Sequence, residues 1–142
     1  AGAGDSLEQQ VYLATFDTIR HIAEKGPCVI IGRCADYALA ENPNHLSLFI
    51  HAPMEARIQR VARRQKLTPE EARKTIIKTD KRRASYYEYY SSKKWGAVDS
   101  YDFCLDSSYL GLSGTVELIR AMVEHKEHPI PSPTEIDPTE QV

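Results

Sequence analysis

Three short apolar runs set the limits on what this chain can fold into. They are Cys28-Val-Ile-Ile31, Leu46-Ser-Leu-Phe-Ile50 and Tyr101-Asp-Phe-Cys-Leu105, each rich in branched or aromatic residues. Runs this short suit strands better than core helices, and Cys28–Ile31 reads as a strand buried on both faces. The segments between them carry helical spacing. Strands alternating with helices imply a parallel sheet joined by right-handed crossovers. The expected order is α-β-α-β-α-α-β-α, an α/β class built on a thin, three-stranded sheet.

The helical segments have local start and stop signals. Ser6 with Gln9 fits a capping box, and Leu7, Val11, Ala14, Thr18 and Ile22 follow at helical spacing until Gly26-Pro27. Gly32 and Arg33 stand at the carboxyl end of the first run, the edge where open α/β sheets bind ligands. Residues 35–40 form a short helix and Asn42-Pro43-Asn44 a loop. Pro53 opens a helix with Met54, Ile58, Val61 and Ala62 on its apolar side. Thr68-Pro-Glu-Glu71 caps another, which runs through Ile76 and Ile77 towards Tyr90. Residues 91–100 make a polar loop around Trp95. Gly111–Gly114 turns into a last helix that ends near His128-Pro129. Residues 1–5 read as a flexible leader, 6–128 as one domain, and the proline-rich 129–142 as a disordered tail.

Charge narrows the function. The net charge of −2 and pI near 6.2 argue against a whole-protein field for nucleic acid. Locally the picture differs. Arg57, Arg60, Arg63, Arg64, Lys66, Arg73, Lys74, Lys78, Lys81, Arg82 and Arg83 face only Glu55, Glu70, Glu71 and Asp80. Such a block suits phosphates and equally suits a solvated helix face; composition leaves both open. Arg57, Arg60 and Arg64 share a stripe. Cys28, Cys34 and Cys104 show no paired spacing, which favours reduced thiols and a cytoplasmic protein. No apolar run approaches membrane-spanning length. The histidines form no constellation, so no protein-held metal is expected.

Four segments together carry a resemblance: I-G-R-C-A-D-Y at 31–37, D-K-R-R-A-S-Y-Y at 80–87, K-W-G at 94–96 and L-D-S-S-Y-L at 105–110. Through them, residues 6 to about 124 resemble the cytidylate kinase-like family, a P-loop branch of the nucleoside monophosphate kinases. The resemblance implies a three-layer parallel-sheet P-loop NTPase-like core with a helical lid at about 68–95. It implies phosphate transfer from ATP to CMP or a similar nucleotide, with Mg²⁺ carried mainly by the nucleotide phosphates. The P-loop itself requires G-x-x-x-x-G-K-[ST], and none of the chain's seven glycines is followed by Lys. The core is therefore expected to be incomplete at its N-terminus and the chain inactive alone. A preceding segment of the same protein would complete it. The alternative is a non-catalytic nucleotide-binding or regulatory module. A single-stranded nucleic-acid binder is disfavoured by total charge, and no nucleic-acid partner is expected.

The resemblance also implies roles. Arg33, Asp36 and Asp80 fall on the acceptor side. Arg83, Arg60 and Arg64 grip phosphate during transfer. Arg57, Asp106 and Ser107 fall on the donor side. Each has a plainer reading: Arg33 paired with Asp36, Asp80 paired with Arg83 within one helix, Asp106 capping its own turn. Tyr86, Tyr87, Tyr89 and Tyr90, with Trp95 nearby, either stack on bases or pack the lid.

Overall fold

The computed structural model describes residues 6–127. The leader, the tail and His128 lie outside the described residues. The chain divides into two compact units, Ala1–Leu105 and Asp106–Val142.

In the first unit, α1 (Leu7–Lys25) starts where the capping box places it. Ser6 Oγ accepts from Gln9 N at 3.2 Å, and Gln9 Oε1 accepts from Ser6 N at 3.3 Å. The helix stops at Gly26, whose φ of 150° no helix can continue. The next run departs from expectation. Cys28–Ile31 joins no sheet, and Val29 and Ile31 are 93% and 90% exposed. A strand needs a neighbour to satisfy its backbone, and none of the described residues supplies one. After the single-turn α2 (Ala35–Ala38), β1 (Leu48–His51) and β2 (Phe103–Asp106) form a small two-stranded parallel sheet. The class is α/β as expected, with two strands among the described residues where three are expected from sequence.

The best-packed part is a helical hairpin. α3 (Met54–Gln65) and α4 (Pro69–Ser91) are joined only by Lys66, Leu67 and Thr68. Lys66 ends α3 in the left-handed conformation at φ 56°. Thr68 and Glu71 then form the capping box read from sequence, with bonds of 3.2 and 2.8 Å. Ile58, Ala72 and Ile76 are buried between the helices, flanked by Met54, Val61, Ala62 and Leu67. Burial of each isoleucine contributes about 1.5–3 kcal/mol.

The K-W-G segment is a support for β1. Trp95 meets Phe49 edge-on, ring centres 5.2 Å apart. Gly96 has φ +75°, and a Cβ there would meet the Phe49 ring at 3.2 Å.

The second unit contains α5 (Ser107–Glu127), which is two helical pieces joined at Gly111, φ 69° and ψ −177°. The expected glycine turn is thus present, but helix begins before it.

Candidate functional site

One face of α4 organises the candidate residues. Ile76, Asp80, Arg83 and Tyr87 follow at helical spacing and so share a side. Ile76 and Tyr87 are buried, at 4% and 5% exposure. Asp80 is half-buried. Arg83, between buried neighbours on that same side, is exposed.

Asp80 is held from α3. Arg57 donates from both guanidinium nitrogens, at 2.7 and 2.8 Å, to its two carboxylate oxygens. This fork-to-fork pair raises the Arg57 pKa above its ordinary value, chiefly through the hydrogen bonds to Asp80. The pairing joins a residue read as donor-side to one read as acceptor-side. It also takes Asp80 away from Arg83. The intrahelical pair is absent, and Arg83 has no ion pair among the described residues.

Arg60 and Arg64 are exposed and likewise carry no ion pair among the described residues. They continue the Arg57 stripe towards the hairpin turn, roughly 5 and 10 Å along the helix axis. Arg83 lies beyond Asp80 in the other direction along the hairpin. The five residues therefore do not converge: Arg57, Asp80 and Arg83 neighbour one another, while Arg60 and Arg64 extend outward.

Arg33 sits in an unusual turn. Gly32, Arg33 and Cys34 all have positive φ, at 73°, 60° and 59°. For residues with a Cβ this conformation costs about 1–2 kcal/mol each and persists only where the surroundings hold it. Arg33 is exposed and pairs with no carboxylate among the described residues. The next residue, Cys34, donates its thiol to the Tyr87 carbonyl oxygen at 3.7 Å, four residues after Arg83 on α4. The turn that carries Arg33 is thus held to α4 about one helical turn beyond Arg83. Two un-neutralised guanidinium groups so placed suit phosphate, whose oxygens accept their forked donors.

Asp36 is not Arg33's partner. Its Oδ2 accepts from the Tyr87 hydroxyl at 2.7 Å. It also lines a cavity of about 240 Å³ with His45, Ser47, Tyr101 and Asp102, which lead into β1 and β2. This is the amino-terminal edge of the sheet, opposite the edge where ligands bind in such folds. Burial and the bond to Asp36 push the Tyr87 hydroxyl pKa far up, so Tyr87 stays a donor.

Asp106 and Ser107 belong to the second unit. Asp106 Oδ1 accepts from Ser108 N at 2.9 Å and Ser108 Oγ at 2.7 Å. The carboxylate caps its own turn, the plainer of its two readings.

Part of the tyrosine cluster is packing. Tyr90 stacks on Tyr12 of α1 with ring centres 3.7 Å apart, and Tyr86 meets Tyr90 edge-on at 4.9 Å. Sequence reading missed two links, Arg57 with Asp80 and Tyr87 with Asp36. Neither link leaves a spacing signal, because the partners stand 23 and 51 residues apart.

Among the described residues no three His, Cys, Asp or Glu side chains converge on a possible metal position. The implied Mg²⁺ would enter on nucleotide phosphates. No helix among the described residues is long and apolar enough to cross a membrane.

The chain is 28% identical over 113 residues to a cytidylate kinase of Methanopyrus kandleri, covering 74% of this chain and 58% of that one. It is 24% identical over 106 residues to a cytidylate kinase of Methanocaldococcus jannaschii, covering 73% and 60%. The chain thus spans about three-fifths of the length of these curated relatives. The fold matches the crystal structure of an uncharacterized protein from Eubacterium ventriosum with a TM-score of 0.79 and 31% identity, over 83% of this chain and 74% of that one. The model of the cytidylate kinase-like family matches residues 2–109, so the chain belongs to that family.

Proposed function

We propose that this chain forms the acceptor side and lid of a nucleoside monophosphate kinase that transfers phosphate from ATP to CMP or a similar nucleotide. The observation that carries the reading is the attachment of the Arg33 turn to α4, through Cys34 and Tyr87, about one helical turn beyond Arg83. Both arginines are exposed and without an ion pair among the described residues. Arg33 would take the acceptor phosphate and Arg83 the phosphoryl group in transfer, where a fixed positive charge stabilises the negative charge in flight. Asp80, fixed by Arg57, offers its outer lone pairs to the acceptor sugar or base. Arg60 and Arg64 would reach phosphate only when the hairpin closes.

The lid is part of the proposal. Ala72 and Ile76 are packed on Ile58, so closure would carry α3 together with residues 68–95. The three-layer core is proposed to need a further strand and phosphate loop, because residues 1–142 contain no G-x-x-x-x-G-K sequence. Mg²⁺ bound with ATP supplies charge neutralisation of the transferring phosphate. Cytoplasmic location is proposed with the nucleotide substrates.

The test is a coupled assay with ATP and a panel of nucleoside monophosphates, run on the full-length protein and on the 142-residue chain. The expected result is turnover of CMP or a close analogue by the full-length protein and none by the chain. Robust conversion of CMP to CDP by the chain itself overturns the division of labour. Binding of nucleotide without turnover by the full-length protein would instead favour the non-catalytic module.

A further inference from the structure

The stretch Gly32–Asp36 is fastened to α4 at two points, and both points are the same residue. Cys34 is buried, at 4% exposure, and its Sγ–H donates to the Tyr87 carbonyl oxygen at 3.7 Å. Two residues on, Asp36 accepts from the Tyr87 hydroxyl at 2.7 Å. Arg33 immediately precedes the first attachment and lies within three consecutive residues of positive φ. Such a turn relaxes unless held.

We infer that Tyr87 is a positioning residue: it clamps the strained turn through Cys34 and Asp36 and so sets Arg33 at a fixed distance from Arg83, one helical turn earlier on α4. The inference rests on the kinase reading for its consequence and on geometry alone for the clamp. Asp36 then acts through Tyr87 rather than on the acceptor. Burial raises the Cys34 pKa to about 11, which keeps the thiol protonated and able to donate at neutral pH. Tyr87 is itself buried, and its ring also lies 5.8 Å from that of Tyr101, near-parallel at 22°. The attachment point therefore does not drift with solvent-exposed motion. Because the same helix carries Asp80 and Arg83, any movement of α4 moves Arg33 with them.

The test is Tyr87→Phe, which deletes the hydroxyl and keeps the ring in its packing. Two measurements are made on the full-length protein. Backbone hydrogen exchange at residues 32–36 should rise by about tenfold or more, with α3 unchanged. The acceptor KM should rise by about tenfold, the effect of one lost hydrogen bond to a charged group, while the ATP KM stays within twofold. Tyr87→Phe combined with Asp36→Ala should be no worse than the larger single change, since both remove one link. Unchanged exchange at 32–36 overturns the clamp. Faster exchange with an unaltered acceptor KM, or equal losses for donor and acceptor, overturns the positioning role. A wild-type protein that phosphorylates no nucleoside monophosphate refutes the kinase reading and with it the KM consequence, while the exchange measurement still decides the clamp.

Discussion

The α3–α4 hairpin carries one apolar stripe in a basic segment and the run Cys28–Ile31 is apolar throughout, and the structure treats the two in opposite ways. The hairpin closes on itself. Ile58, Ala72 and Ile76 find one another across a three-residue connection, and a capping box and a forked ion pair fix its ends. Cys28–Ile31 has as much branched apolar character, yet Val29 and Ile31 stand almost fully exposed. The difference is one of range. A hairpin of helices needs only residues within about 25 positions, whereas a parallel strand needs a neighbour from far away in sequence.

Substitutions in the two regions should separate sharply. Ile76→Ala opens a cavity in the hairpin and should lower unfolding free energy by about 2–5 kcal/mol, measured by urea denaturation of the 142-residue chain. A loss below about 1 kcal/mol would mean the hairpin is not the stable part. Arg83→Ala should do the reverse on the same helix. It should leave stability within about 0.5 kcal/mol, because the side chain is exposed and unpaired. On the proposed function it should lower kcat of the full-length protein by about 10²–10³-fold, the scale of one lost charge-stabilising donor. Equal effects on stability and kcat would make Arg83 a packing residue.

The start of α4 offers a smaller test. Thr68→Ala should cost about 1 kcal/mol by removing the cap. The Glu71 carboxyl is held below its ordinary pKa, first by the Thr68 backbone N–H. A depressed carboxyl pKa gives stability that is present above the usual glutamate value and is lost as pH falls through the lowered one. Amide protection factors at the first turn of α4, exchange rates corrected for the intrinsic pH dependence, should therefore fall on acidification across that window. A flat profile would remove the electrostatic part of the cap.

The smallest effect belongs to the exposed run. Val29→Ala should change stability of the 142-residue chain by less than about 0.5 kcal/mol. A loss of more than about 1 kcal/mol there would show that the run is already buried. The same substitution in the full-length protein sharpens the contrast, since a larger loss there locates a covering element outside this chain.

This contrast also explains what could be read in the sequence. The starts of α1 and α4 were legible because a capping box is a four-residue signal. The apolar side of α3, Ile58 included, followed from helical periodicity, whereas Ala72, fully buried on the facing helix, was not singled out. The third strand failed because Cys28–Ile31 carries the composition of a strand but no information on its neighbour. The candidate site shows the same divide. Arg33, Asp80 and Arg83 were named from local motifs, but the bonds that fix the site were not. Arg57 reaches Asp80 across 23 residues and Tyr87 reaches Asp36 across 51. Charge pairs at such separation leave no spacing to read, and Asp80 had a nearer basic neighbour in Arg83 that it does not use.

The proposed acceptor role of Arg33 is tested most directly by Arg33→Ala in the full-length protein, with KM measured separately for ATP and for the nucleoside monophosphate. Loss of a charge-assisted contact is worth about 1.5–3 kcal/mol, roughly 10- to 150-fold. The expected result is a rise of that size in acceptor KM with the ATP KM within about twofold. Equal weakening of donor and acceptor, or no change in either, would contradict an acceptor site built on Arg33.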